Sequence, residues 1–197
     1  MSEENIASAG GFVREDQQTS LPSPRRTASP PHTGAGGPRL YKLSHAQESR
    51  LIGYLDEHLL QISQKFLKKF HEGGYQSLPP LLEDLKPLLH LLEQTPTINI
   101  ITQYLLQITD ALTDWIHAFP PSPEDMFKML ETVDDMCVRL VKGEMGVGGR
   151  KMGTTERVRL KSIVERGRTA VILKMDPVDG WEVETSRTYE GVLEELG

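Results

Sequence analysis

Apolar residues recur at intervals of three and four along most of the chain after Leu43, which is the period of amphipathic helices. The most regular stripe lies between Ile98 and Phe119. The pattern predicts five helices and one further short helix. Their approximate bounds are 44–70, 77–92, 98–119, 123–141 and 155–174, followed by the short helix near 185–196.

Local signals mark where these helices begin and end. Ser44 and Gln47 have the spacing of a capping box, and Ser77 and Ser122 also stand where a hydroxyl would cap a helix. Gly73 and Gly74 predict the end of the first helix, because glycine readily takes the left-handed conformation that closes helices.

The predicted fold class is all-α, a bundle of five or six helices, because helix follows helix through short loops without an alternating strand pattern. Residues 1–42 are rich in Pro, Ser and Gly and are predicted to form a disordered arm. Residues 43–175 are predicted to form the bundle, with a Gly-rich loop at 143–153. Residues 176–197 are predicted to form an acidic tail or a short docked helix.

Composition narrows the class of protein. The chain has 197 residues, of which 38% are hydrophobic, enough for one core of ordinary size. Its single cysteine, Cys137, excludes a disulfide within the chain and suits a reducing compartment. No run of about 18 apolar residues and no secretory signal are seen, so we expect a soluble intracellular protein.

Catalytic and cofactor signatures are weak. The loop starting at Gly143 has glycine at position 149, where a phosphate-binding loop needs lysine, and no strand pattern precedes it, which favours a flexible connector. Asp110, Asp114 and His117 leave open a small enzyme site in the bundle. We expect no catalytic residue, metal or cofactor.

The predicted fifth helix has the opposite charge to the rest of the chain. Residues 150–174 carry a net charge of +6, whereas the whole chain carries −6. Helical spacing puts Leu160, Val164, Gly167 and neighbouring apolar residues on one arc. Gly167 costs about 1 kcal/mol of helix propensity, which a close helix crossing could offset.

Basic residues border that arc on both sides. The candidate partner-binding residues are Arg157, Lys161 and Arg168 on one side, and Arg159 and Arg166 on the other. They either lie over acidic neighbours of the same bundle or form a surface for an acidic protein. Nucleic acid is a weaker alternative, because the chain is acidic and no aromatic residue lies between the basic residues of this helix.

Two further features concern the chain ends. Residues 176–197 carry a net charge of −6, so they could fold back on the basic helix and screen it. Ser23 and Ser29 each precede proline and are candidate phosphorylation sites.

Four blocks resemble a fungal family associated with the transcription and repair factor TFIIH. They are RLIGYLDEHLLQI at 50–62, YLLQI at 104–108, FPPSP at 119–123 and, most specifically, TTERVRLKSIVER at 154–166. The resemblance covers about residues 43–174. It supplies no catalytic residues.

The resemblance implies a non-catalytic nuclear regulator that promotes release of the XPB-type translocase from the TFIIH core. Its expected partners are the TFIIH core or that translocase subunit. The implied processes are transcription initiation and nucleotide excision repair. The alternative is a helical nucleic-acid-binding or general protein-interaction module that uses residues 155–174.

Overall fold

A computed structural model describes residues 42–197, which form seven helices and no strand. The helices are α1 (His45–Leu67), α2 (Leu78–Glu93), α3 (Ile98–Ala118), α4 (Pro123–Lys142), α5 (Thr154–Met175), α6 (Glu182–Ser186) and α7 (Glu190–Leu196). The predicted all-α class is confirmed for these residues. The expected short sixth helix is divided into α6 and α7. The predicted arm up to position 41, with Ser23 and Ser29, lies outside the described residues.

Helix α3 is central to the bundle, because α1, α2, α4 and α5 all pack against it. Leu105, Ile108 and Leu112 of α3 are fully buried in a core made mainly of Leu, Ile, Val and Met. A polar contact also joins α3 to α1, where the hydroxyl of Tyr104 donates to Oδ1 of Asp56 at 2.5 Å. The core therefore surrounds one helix that has little exposed surface.

Of the three predicted helix caps, one forms and two do not. The capping box of α1 is confirmed, since Ser44 Oγ accepts from the Gln47 N–H and Gln47 Oε1 accepts from the Ser44 N–H. Ser77 makes no side-chain capping bond. Residues 79 and 80, at the second and third helical positions, are prolines and lack the N–H groups that a cap would bind. Ser122 also makes none, and its ψ of 76° departs from the usual extended capping conformation.

Helix α1 ends at Leu67, before the predicted Gly73–Gly74 stop. Phe70 already takes a left-handed φ of 66°. Its N–H donates to the Tyr75 carbonyl, and the Tyr75 N–H donates to the Lys65 carbonyl. The buried ring of Tyr75 ties this turn to the core, so tertiary contacts end the helix earlier than the local glycine signal would.

The Gly-rich loop is packed rather than free. Met145 and Met152 are buried, and the Val147 N–H donates to the Pro96 carbonyl at 2.8 Å. Gly146 has a φ of +73°, and a Cβ there would lie 3.0 Å from the Pro96 oxygen. A side chain at this position would therefore separate the loop from the connection between α2 and α3.

The C-terminal segment packs on α4 and α5, with Tyr189 and Val192 buried. Asp134 of α4 accepts the N–H groups of Gly191 and Val192 at the start of α7. Burial raises the pKa of Asp134, although these two hydrogen bonds oppose the increase. Within the described residues, no helix is both long and apolar enough to cross a membrane.

Candidate protein-docking helix

Helix α5 has the buried stripe that its sequence predicts. Leu160, Val164, Gly167 and Val171 are buried, and the helix packs most extensively on α3. Val158 and Leu173 lie outside this stripe and are 65% and 68% exposed. The helix thus presents apolar side chains to solvent as well as to the core.

Gly167 lies at the close approach that its helix position predicts. A Cβ on this residue would be 2.9 Å from Cε2 of Tyr189 and 3.1 Å from Oγ1 of Thr113. The absence of a side chain therefore lets α5 contact both α3 and the C-terminal segment.

The basic residues on one side of α5 bind the end of α7. Arg157 Nη2 donates to the Glu195 carbonyl at 3.0 Å, and Lys161 Nζ donates to the Gly197 carbonyl at 3.0 Å. The last carbonyl groups of a helix lack partners within it and carry partial negative charge. These two side chains therefore cap α7.

The same kind of contact recurs at two other helix ends. Arg168 Nη2 donates to the carbonyl of Ser186, the last residue of α6, at 2.7 Å. Lys174 Nζ donates to the carbonyl of His117, in the last turn of α3, at 3.1 Å. Four basic residues of α5 thus hold the carboxyl ends of three neighbouring helices. The acidic side chains of the tail are not their partners.

On the other side of α5 the basic residues are more available. Arg166 forms an ion pair with Asp110 of α3, and both side chains are about half exposed. Arg159 is exposed and has no ion pair or side-chain hydrogen bond among residues 42–197, as is also true of Arg150 and Lys151 just before the helix. These three residues form a cluster of available positive charge.

The five candidate residues therefore occupy three environments. Arg157, Lys161 and Arg168 contact the C-terminal segment, Arg166 shares a carboxylate with α3, and Arg159 faces solvent. The sequence pattern did not identify Arg150 and Lys151 as contact residues, although both belong to the basic stretch 150–174. Their position beside Arg159 depends on the path of the packed Gly-rich loop.

The residues considered for other chemistry lie on the surface of α3 or in the core. Asp110 is paired with Arg166, while Asp114 and His117 are exposed. No group of three or more metal-binding side chains occurs in the described part of the chain. Cys137 is completely buried, and this burial raises its pKa to about 12, so its thiol is protonated near neutral pH.

Fold and surface together define an all-α bundle in which one helix, α5, carries a basic surface. Residues 74–178, more than half of the chain and including all of α5, match the TFB6 family, described as subunit 11 of the general transcription factor TFIIH. An uncharacterized protein of Schizosaccharomyces pombe is 36% identical, over 79% of this chain and 97% of its own length. The chain belongs to this TFIIH subunit family, and the resemblance seen in its sequence is confirmed.

A second relative has a described role. It is the general transcription and DNA repair factor IIH subunit TFB6 of Saccharomyces cerevisiae, which is 28% identical over 83% of this chain. The match spans 64% of that relative's length. No solved structure matches the chain.

Proposed function

We propose that this protein is a non-catalytic, nuclear TFIIH-associated subunit that acts in transcription initiation and in nucleotide excision repair. The family match over residues 74–178 is the observation that carries the proposal. The Saccharomyces cerevisiae relative is named as a subunit of a general transcription and DNA repair factor, which supports a role in both transcription and repair.

The proposed action is release of the XPB-type translocase from the TFIIH core through contacts made by α5. Arg159 can bind an acidic group of the TFIIH core or of the translocase without losing an ion pair or a side-chain hydrogen bond to residues 42–197. Arg166 can do so by giving up its ion pair with Asp110. Arg157, Lys161 and Arg168 donate to main-chain oxygens of the C-terminal segment. For Arg157 and Arg168, whose acceptors are neutral carbonyl groups, a partner carboxylate would offer a stronger, charge-assisted hydrogen bond.

A release assay tests this function. TFIIH that contains its translocase is immobilised through a core subunit, the full-length chain is added, and the translocase in the supernatant is measured. We expect the wild-type chain to release it. The double variant Arg159→Glu, Arg166→Glu should release little, because both exposed charges are reversed.

Lys128→Glu is the matched control, since Lys128 is an exposed basic residue of α4, a helix that packs mainly on α7, α2 and α3. It should release the translocase as the wild type does. Failure of the wild-type chain to bind TFIIH would overturn the proposed function. Full activity of the double variant would overturn the role of α5.

A further inference from the structure

An open groove of about 820 Å³ lies between the first half of α3 and the start of α5, and the Gly-rich loop borders one end. We call it the α3–α5 groove. Its apolar surface includes Leu106, Met152 and Ile163, of which Ile163 is partly buried. The groove therefore offers a limited apolar floor at a place where the bundle contacts solvent.

One wall of the groove carries a row of amide side chains. Asn99, Gln103 and Gln107 follow one another at four-residue intervals on α3 and are exposed. At a rise of about 1.5 Å per residue they span roughly 12 Å. None of the three makes a side-chain hydrogen bond to another residue between positions 42 and 197.

Such a row suits the main chain of a bound peptide. Each amide offers two N–H donors and a carbonyl acceptor, which complement the carbonyl and N–H groups of a peptide backbone. The amides bear no net charge, so they provide contacts without selecting for the charge of the ligand.

Basic residues of the loop and of α5 supply that selection. Arg150 and Lys151 line the groove at its loop end and Arg159 lines it from α5, and the described structure gives none of them an acidic partner. The two acids that line the groove are Asp110, which Arg166 neutralises, and Glu156. Because the whole chain carries −6, this is a local reversal of charge that would attract acidic groups.

We propose that the α3–α5 groove binds an acidic segment of a partner protein. The amides of α3 bond its main chain, the floor receives its apolar side chains, and Arg150, Lys151 and Arg159 pair with its carboxylates. The inference rests on the proposed function in taking the ligand to be a protein. Among residues 42–197, no aromatic side chain lines the groove to stack on nucleobases, which favours a peptide over single-stranded nucleic acid.

The test uses the full-length chain and a fluorescein-labelled amphipathic peptide made of glutamate and leucine. A matched peptide has lysine in place of every glutamate. Fluorescence anisotropy should show binding of the glutamate peptide, weakened by salt, and no binding of the lysine peptide. Methyl NMR spectra should show shifts for Met152 and Ile163 when the glutamate peptide is added.

Charge reversal of the basic residues tests whether the peptide binds in the α3–α5 groove. The variant Arg150→Glu, Lys151→Glu, Arg159→Glu should weaken binding of the glutamate peptide by about tenfold or more, since three attractive pairs become repulsive. Gln103→Ala should weaken it less. Lys128→Glu should bind as the wild type does. Thermal unfolding followed by circular dichroism should be nearly unchanged, because the substituted side chains are exposed.

Three results would overturn the inference: equal binding of both peptides, unchanged affinity of the triple variant, or displacement of the glutamate peptide by single-stranded DNA at equal concentration. Absence of peptide binding together with Arg159-dependent translocase release would reject the groove and retain the proposed function. Peptide binding at Met152 and Ile163 without any binding of TFIIH would retain the groove and reject the proposed function.

Discussion

Replacement of Gly167 by alanine measures how closely α5 is held against its neighbours. The added methyl group would lie 2.9 Å from a ring carbon of Tyr189 and 3.1 Å from the hydroxyl oxygen of Thr113. Both distances are shorter than the separation of about 3.5 Å or more at which non-bonded carbon atoms attract. Tyr189 is buried, so its ring has little room to move away.

Two opposing terms decide the outcome. Alanine gains about 1 kcal/mol over glycine inside a helix. Extra volume in a packed core costs about 1–3 kcal/mol. We expect Gly167→Ala to lower the free energy of unfolding by about 1 kcal/mol, the difference between the middle of the cost range and the propensity gain.

Gly53 of α1 supplies the matched control. It also lies inside a helix, but it is exposed and a Cβ there would have no atom within 4 Å. Gly53→Ala should therefore raise the free energy of unfolding by about 0.5–1 kcal/mol. Urea unfolding of the full-length chain, followed by circular dichroism, measures both variants under the same conditions.

Removal of the Tyr189 ring should change the sign of the effect of Gly167→Ala on the free energy of unfolding. In a Tyr189→Leu background, which lacks the ring carbon closest to Gly167, the alanine substitution should become neutral or stabilising. Stabilisation of the otherwise wild-type chain by Gly167→Ala, to the same extent as by Gly53→Ala, would show that the contact with Tyr189 and Thr113 does not limit the size of this residue, and would refute the predicted loss of stability.

Three further predictions concern other contacts of the bundle. Burial raises the pKa of Asp134 above its usual 3.8, so on acidification this carboxylate is protonated in the folded state before it is protonated in the unfolded state. As the pH falls from the raised pKa toward 3.8, protonation of Asp134 should therefore increase the free energy of unfolding. Asp134→Asn should abolish that pH-dependent contribution, as urea unfolding across the same pH range would show. Arg157→Gln should cost about 0.5–1 kcal/mol of stability in urea unfolding by removing a charged cap from α7, whereas an unchanged midpoint would contradict the capping role. Cys137, with its pKa raised to about 12, should react with iodoacetamide near pH 8 only after unfolding, as mass spectrometry would show; rapid labelling of the folded chain would disprove this.

Much of the fold could be predicted because its signals are local. The stripe of α3 and the capping box at Ser44 depend on residues a few positions apart, and both predictions hold in the structure. Helix α1 ends at Leu67, a few residues before the predicted end near position 70 and the Gly73–Gly74 signal, because contacts made by Tyr75 reverse the chain sooner. A local signal cannot register such a contact.

The candidate site was predictable in part for the same reason. Helical spacing correctly separates the buried stripe of α5 from its basic borders. It does not show that Arg168 reaches the end of α6, or that Arg159 is left beside Arg150 and Lys151. The role of the five candidate residues in binding a partner stays a prediction.

The sequence by itself determined the number and approximate bounds of the long helices, the face of α5 that is buried, and the position of the basic stretch. These follow from the period of apolar residues, from proline and from charge, which act over a few residues. Only the tertiary structure decided which basic residues cap neighbouring helices and which border the α3–α5 groove. Those outcomes depend on distances between segments as far apart as Arg157 and Glu195, which are set by packing of the whole bundle.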